Sequence, residues 1–127
     1  MHDVLPPDPL DPATFRKLMG QFTTGVCVVA ANDPDASIAG ITVNSFVSVS
    51  LDPLLVCWSL CNDSSQFELW SNTSDFTISI LEESQANLAL RYAVRGSRDL
   101  KSDDFERTAR GAPVIAGALG YLECRQW

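Results

Sequence analysis

Histidine is almost absent from this chain: among 127 residues there is one, His2, close to the N-terminus. A histidine-based catalytic triad or a histidine-rich metal site cannot be assembled from it. Chemistry at a site in this protein therefore falls to something bound rather than to a protein acid–base pair. Basic residues are also scarce, 9 Lys and Arg against 16 Asp and Glu, which gives a formal charge of -7 and a pI near 4.4. Nucleic acid and anionic membrane surfaces both require a basic footprint, so both are excluded as partners. No apolar run approaches the roughly 20 residues that span a bilayer. The start, Met1-His2-Asp3-Val4-Leu5-Pro6-Pro7, lacks the basic region and apolar stretch of a signal peptide. A cytoplasmic location is the expectation, with Cys27, Cys57, Cys61 and Cys124 as reduced thiols, since no two of them form a C-x-x-C pair. There is no Gly-rich strand-to-helix turn of the dinucleotide-binding type, no internal repeat and no low-complexity segment.

What the chain does have is an ordinary globular composition, 46% hydrophobic and 20% charged, in a length that suits one domain. Its most informative stretch runs from Gly40 to Val56, where small hydroxyl and amide side chains interrupt strand-like sequence. From Val47 to Leu51 the alternation is strict, with Val47, Val49 and Leu51 on one strand face and Ser48 and Ser50 on the other. Two serines on one face offer hydrogen bonds without charge, which suits either a solvated surface strand or the lining of a ligand site.

Taken in order, the prolines Pro6, Pro7 and Pro9 favour an extended leader over residues 1–12. Asp11 as N-cap and Pro12 as first helical residue open a helix whose Phe15, Leu18, Met19 and Phe22 share a face. A buried strand is expected at Val26–Ala31 and further strands at Ile38–Val43 and Phe46–Ser50, the first two as a hairpin around Asn32–Asp35. Leu54–Leu60 is nearly all apolar and reads as the central, most buried strand. A short helix over Gln66–Ser71, capped by Ser64 or Ser65, follows, and an anion could bind at its start. Phe76, Ile78 and Ile80 alternate with Thr77 and Ser79 as a half-buried strand, and Glu83 or Ser84 caps a helix carrying Ala86, Ala89, Leu90 and Ala93 on one face. Arg91, Arg95, Arg98 and Lys101 then cluster, either as a solvated helix end or as a phosphate contact. Asp103–Glu106 reads as a surface turn, Gly111-Ala112-Pro113 as a break, and Ala118–Arg125 as a final strand. This pattern predicts a β-rich α+β fold, a barrel with short peripheral helices rather than a doubly wound sheet.

Several ordered motifs carry a family resemblance: Phe15-Arg16 through Thr24-Gly25-Val26, Gly40 through Pro53, Ile80-Leu81 with Gln85 and Leu88-Ala89, then Gly111-Ala112-Pro113 and Leu122-Glu123-Cys124. Together, over nearly the whole chain from about residue 13, they resemble the flavin reductase family, whose fold is an FMN-binding split β-barrel. The resemblance implies one split-barrel domain over 13–127, a homodimer, FMN or FAD as the flavin, and NADH or NADPH as hydride donor. It also implies a separate oxygenase component that receives reduced flavin.

Carried over by position, Thr42, Val43, Asn44 and Ser45 would lie against the isoalloxazine and ribityl groups, Ser48 and Ser50 along the ribityl-phosphate channel, and Ser64 and Ser65 at the phosphate, with Gln85 and Arg98 as further contacts. No catalytic side chain is implied, because hydride passes directly from nicotinamide to flavin, and no metal is implied. Two departures stand out. Asp63 occupies a position that often carries a basic or amide group. Family members also continue past the Leu-Glu-Cys strand into further strands with a Gly-Asp-His motif, whereas this sequence stops at Trp127. The alternative to a reductase is accordingly a non-catalytic FMN-binding split-barrel module.

Overall fold

The structure is a computed structural model and describes residues 12–13, 26–35, 37–94 and 97–127. The expected leader, the helix face of Phe15, Leu18, Met19 and Phe22, and Arg95 lie outside the described residues. In chain order the elements are β1 (Cys27–Asn32), β2 (Ile38–Val43), β3 (Val47–Leu51), β4 (Leu54–Cys57), helix α1 (Phe67–Ser71), β5 (Asp75–Ile80), a 3-10 turn (Glu83–Gln85) leading into helix α2 (Ala86–Arg91), β6 (Phe105–Arg107), β7 (Pro113–Ile115) and β8 (Gly120–Arg125). All ladders are antiparallel. The main sheet has the order β2-β1-β5-β8, and β3-β4 and β6-β7 form two smaller sheets. The strand-rich architecture with short helices is the expected one.

β1 holds the centre. Its run Cys27–Ala31 is small or β-branched and wholly apolar, and it is buried along its length between β2 and β5. Period-two alternation sends Cys27, Val29 and Ala31 to one side of the sheet, where they meet Ala39, Val43, Trp70 and Ile78. Val28 and Ala30 go to the other, against Ile38, Tyr92, Leu100 and Ile115. The β3-β4 hairpin, Trp58 and α1 cover the first side. α2, the segment 97–104 and the β6-β7 hairpin cover the second.

Three expectations are corrected. Leu54–Leu60 is not the central buried strand: β4 ends at Cys57, pairs only with β3 among the described strands, and leaves Leu54 81% exposed. Its apolar residues belong to a two-stranded hairpin, which has too few neighbours to enclose them. The strand Asp75–Ile80 is buried on both faces rather than one, because Thr77 and Ser79 are covered by β7. Thr77 Oγ1 donates to the Pro113 carbonyl at 2.6 Å, and Ser79 Oγ accepts the Ile115 N–H at 3.0 Å. Finally, Phe105–Arg107 is a strand rather than a surface turn. It folds back on β7 through a turn in which Gly111 adopts φ 82°, a conformation that costs glycine nothing.

The outer edge of β2 is closed by the chain that follows α2. Gly40 N–H donates to the Arg98 carbonyl at 2.8 Å, Leu100 N–H to the Ile38 carbonyl at 2.8 Å, and Thr42 N–H to the Tyr92 carbonyl at 3.2 Å. A Cβ at position 40 would lie 2.8 Å from Leu100 Cγ, so any larger residue there would have to displace the buried Leu100 side chain.

Candidate functional site

An open groove of about 610 Å³ lies on the β3-β4 side of the main sheet, between that hairpin and β8. Ser48, Ser50, Leu51 and Leu54 form one wall, Leu122 and Trp127 the other, and Trp58, Trp70 and Phe76 the floor. The floor is held by edge-to-face ring contacts: Trp58 to Trp70 at 5.6 Å and 88°, and Trp58 to Phe76 at 6.2 Å and 68°. A bulge between Ser48 and Ser50 breaks the strict pairing of β3, so Leu51 joins the two serines in the lining. The lining is mostly apolar, with hydroxyls from Ser48, Ser50, Ser71 and Thr73 and the charged Glu123 and Arg125 on the β8 side, which suits a flat, largely apolar ring system with a polar tail. Among the described residues, no group of three or more His, Cys, Asp or Glu is placed to hold a metal.

The remaining sequence-derived candidates do not form one continuous lining. Thr42 and Val43 are adjacent on β2 and so point to opposite sides of the sheet. Val43 is buried in the core, and Thr42 Oγ1 donates to the Ala89 carbonyl of α2 at 2.7 Å. Both side chains therefore cannot face one ligand from the same side. Asn44 is exposed in the turn after β2. Ser45 is pinned to Ser59, its Oγ accepting the Ser59 N–H at 2.8 Å and donating to the Ser59 carbonyl at 3.2 Å. Gln85 has both ends of its amide engaged: Oε1 accepts the Glu82 N–H and Nε2 donates to the Ala116 carbonyl, each at 2.9 Å.

Ser64 and Ser65 precede α1. Ser64 Oγ accepts the Gln66 N–H at 3.2 Å, which leaves its own hydroxyl proton free to point outward. Neither serine is the N-cap; that position is Gln66, and the five-residue helix has no side-chain cap. The expected anion site at a capped helix start therefore reduces to the Ser64–Ser65 turn itself. Asp63 stands beside Cys61, where its hydrogen bond and charge push the thiol above its ordinary pKa. Arg98 is not a spare cation: its guanidinium pairs with Asp33 and lies 3.7 Å from Asp35 and 3.6 Å from Asp99. Of the candidates, then, Ser48 and Ser50 share the groove, Thr42 is tied to α2, Gln85 to the Ala116 carbonyl, and Ser64 to the backbone of Gln66.

Sequence reasoning missed the polar groups that hold these pieces. Tyr92, 2% exposed, donates from its hydroxyl to Asp104 Oδ2 at 2.5 Å and accepts the Lys101 N–H at 2.9 Å. Arg91 Nη1 meets the same carboxylate oxygen at 2.5 Å. Burial alone would raise the Asp104 pKa, but the bonds from Tyr92 and Arg91 and the charges of Arg91 and Lys101 outweigh it and hold the carboxyl below its usual value. No spacing rule links Tyr92 to Asp104 in advance; only the fold brings them together.

A depressed folded-state pKa makes this carboxylate stabilising above the unfolded value of about 3.9, and that stabilisation is lost as pH falls through the lower folded value. Asp104→Asn is expected to cost about 1–3 kcal/mol at pH 7. Urea melts at pH 7 and pH 3 check it: the gap between parent and variant should narrow at pH 3, and an equal gap at both would show that the charge is not what matters.

Comparison with known proteins gives the family. Residues 19–127 match the family model described as a flavin reductase like domain, and the chain belongs to that family. It is 45% identical over 113 residues to the FMN reductase (NADH) SmoA of Agrobacterium fabrum, covering 89% of this chain and 64% of that protein. The chain thus spans somewhat under two thirds of that relative's length. Among solved structures, the Streptomyces globisporus NADH:FAD oxidoreductase SgcE6, in complex with NAD and FAD fragments, superposes with a TM-score of 0.74 at 32% identity, covering 94% of this chain and 73% of that one. The styrene monooxygenase flavin reductase SMOB of Pseudomonas putida gives a TM-score of 0.73 at 35% identity, covering 88% and 71% respectively. The fold is that of the flavin reductases.

Proposed function

We propose that this chain is the flavin-holding part of an NAD(P)H-dependent flavin reductase, which reduces FMN or FAD and supplies reduced flavin to a separate monooxygenase component. The observation that carries this reading is the 45% identity to an FMN reductase that uses NADH, extending over 89% of the chain. The residues present fit a flavin. The groove offers aromatic and aliphatic walls with neutral hydroxyls from Ser48 and Ser50, and the Ser64–Ser65 turn offers hydroxyl donors suited to a phosphate. A bound flavin supplies the hydride-accepting ring. The protein's part is to orient that ring and exclude water, a task of approximation that needs no acid or base side chain.

In this reading Ser48 and Ser50 meet the ribityl-phosphate portion and Ser64 and Ser65 the phosphate. The turn of Asn44 and Ser45, held to Ser59, borders the ring, while Thr42 and Val43 anchor the strand that leads into that turn, one to α2 and the other in the core. Gln85 supports the site from the start of α2, and Arg98, its guanidinium paired with Asp33 and its carbonyl with the Gly40 N–H, holds the edge of β2 rather than the flavin. NADPH as an alternative donor, a cytoplasmic location and a homodimeric state belong to the same proposal. The dimer is supported by exposed apolar side chains on the β3-β4 hairpin, where Val49 is 60% and Leu51 82% exposed. No helix among the described residues is long and apolar enough to cross a membrane.

The test is NADH or NADPH oxidation followed at 340 nm with FMN or FAD added. A rate well above that of free flavin with nicotinamide is expected. Flavin binding without turnover would reassign the chain as a binding module, and neither binding nor turnover would remove the reading altogether.

A further inference from the structure

Gln66 is a polar side chain in an apolar place. It is 6% exposed, at the start of α1, and both ends of its amide are used. Nε2 donates to the Ser97 carbonyl at 2.9 Å, and Oε1 accepts the Trp70 indole N–H at 2.9 Å. Its own backbone N–H is bound by Ser64 Oγ. One residue thus joins the Ser64–Ser65 turn, the aromatic floor of the groove and the segment that closes the edge of β2. That segment is itself held in place: Ser97 Oγ donates to the Arg91 carbonyl at 2.9 Å, and the next residue, Arg98, accepts the Gly40 N–H. A buried amide is retained against its desolvation cost only where both its groups are paired, and this pairing fixes where the Ser64 hydroxyl sits.

We propose that Gln66 is a positioning residue for the phosphate end of the flavin site, holding the Ser64–Ser65 turn against the Ser97 carbonyl. The proposal rests on the reading that Ser64 and Ser65 meet the flavin phosphate. Gln66 touches no part of the ligand; it removes the freedom of the turn that does. Loosening that turn weakens binding of a flavin that carries a phosphate and spares one that does not.

The experiment is a fluorescence titration of the full chain with FMN and with riboflavin, which differ only in that phosphate. The parent protein is expected to prefer FMN. Gln66→Met, neutral and of similar length, should weaken FMN binding about ten-fold and leave riboflavin within about two-fold. Gln66→Asn, an amide with shorter reach, serves if the Met variant does not fold, and should shift FMN in the same direction.

Equal weakening of both flavins in the Gln66 variants, or an unchanged FMN affinity, overturns the proposal. A parent protein that binds FMN and riboflavin equally overturns the phosphate reading beneath it, and one that binds neither overturns the flavin reading itself.

Discussion

The double variant Ser48→Leu/Ser50→Leu is expected to bind FMN at least about ten-fold more weakly than the parent, a loss of about 1.4 kcal/mol, with little change in its urea midpoint. Both serines line the groove beside Leu51, Leu54 and Trp58. Each leucine would place a branched side chain where a hydroxyl stands, removing a hydrogen-bonding group and the space next to it. The fold should tolerate the change because the hairpin is peripheral: Val47, Ser48 and Val49 are exposed and β3 pairs only with β4 among the described strands. Substitutions on such surfaces usually move stability by less than about 0.5 kcal/mol. An FMN titration that matches the parent would show that this groove does not hold the flavin.

Ile78→Ala should have the largest effect on stability, about 2–5 kcal/mol. Ile78 is fully buried in β5, directly across from Val29 on one neighbouring strand and Leu122 on the other. Its neighbours are tied into ladders on both sides and cannot collapse into the space, so the cavity term adds to the lost transfer energy. Against a total stability of about 5–15 kcal/mol, the variant should show a much lower urea midpoint at an unchanged slope. A loss below about 1 kcal/mol would mean that the sheet repacks around the gap.

Much of the fold was legible because its signals are local. The strand at Ile38–Val43 falls where the sequence predicts it. The apolar run after Gly25 and the alternation from Phe76 to Ile80 each yield a strand. Two of the errors share one cause: periodicity reports what a strand could bury, not what covers it. Leu54–Val56 is apolar enough for a centre but ended in a peripheral hairpin, whereas Thr77 and Ser79 look solvated and are sealed by β7, where the Pro113 carbonyl and the Ile115 N–H satisfy their hydroxyls.

The candidate site divides in the same way. The hydroxyl-bearing stretch from Thr42 to Ser50 was recognisable from residue types and order. That the Thr42 and Val43 side chains part to opposite sides followed from the strand itself, but which side holds the groove did not.

By itself, then, the sequence determined that this is a β-rich, acidic, almost histidine-free chain of the flavin reductase kind, with small hydroxyl and amide side chains gathered in the stretch from Gly40 to Val56. Composition, alternation and motif order are properties of the chain read along its length. Tertiary structure alone decided that β1 rather than Leu54–Leu60 is the centre of the sheet, that Arg98 is spent on Asp33, and that Gln66 and Tyr92 tie their surroundings to the segment 97–104. Each of those outcomes depends on contacts between residues far apart in sequence, and the free energy of burying and pairing a polar group is set by what surrounds it, which no local pattern contains.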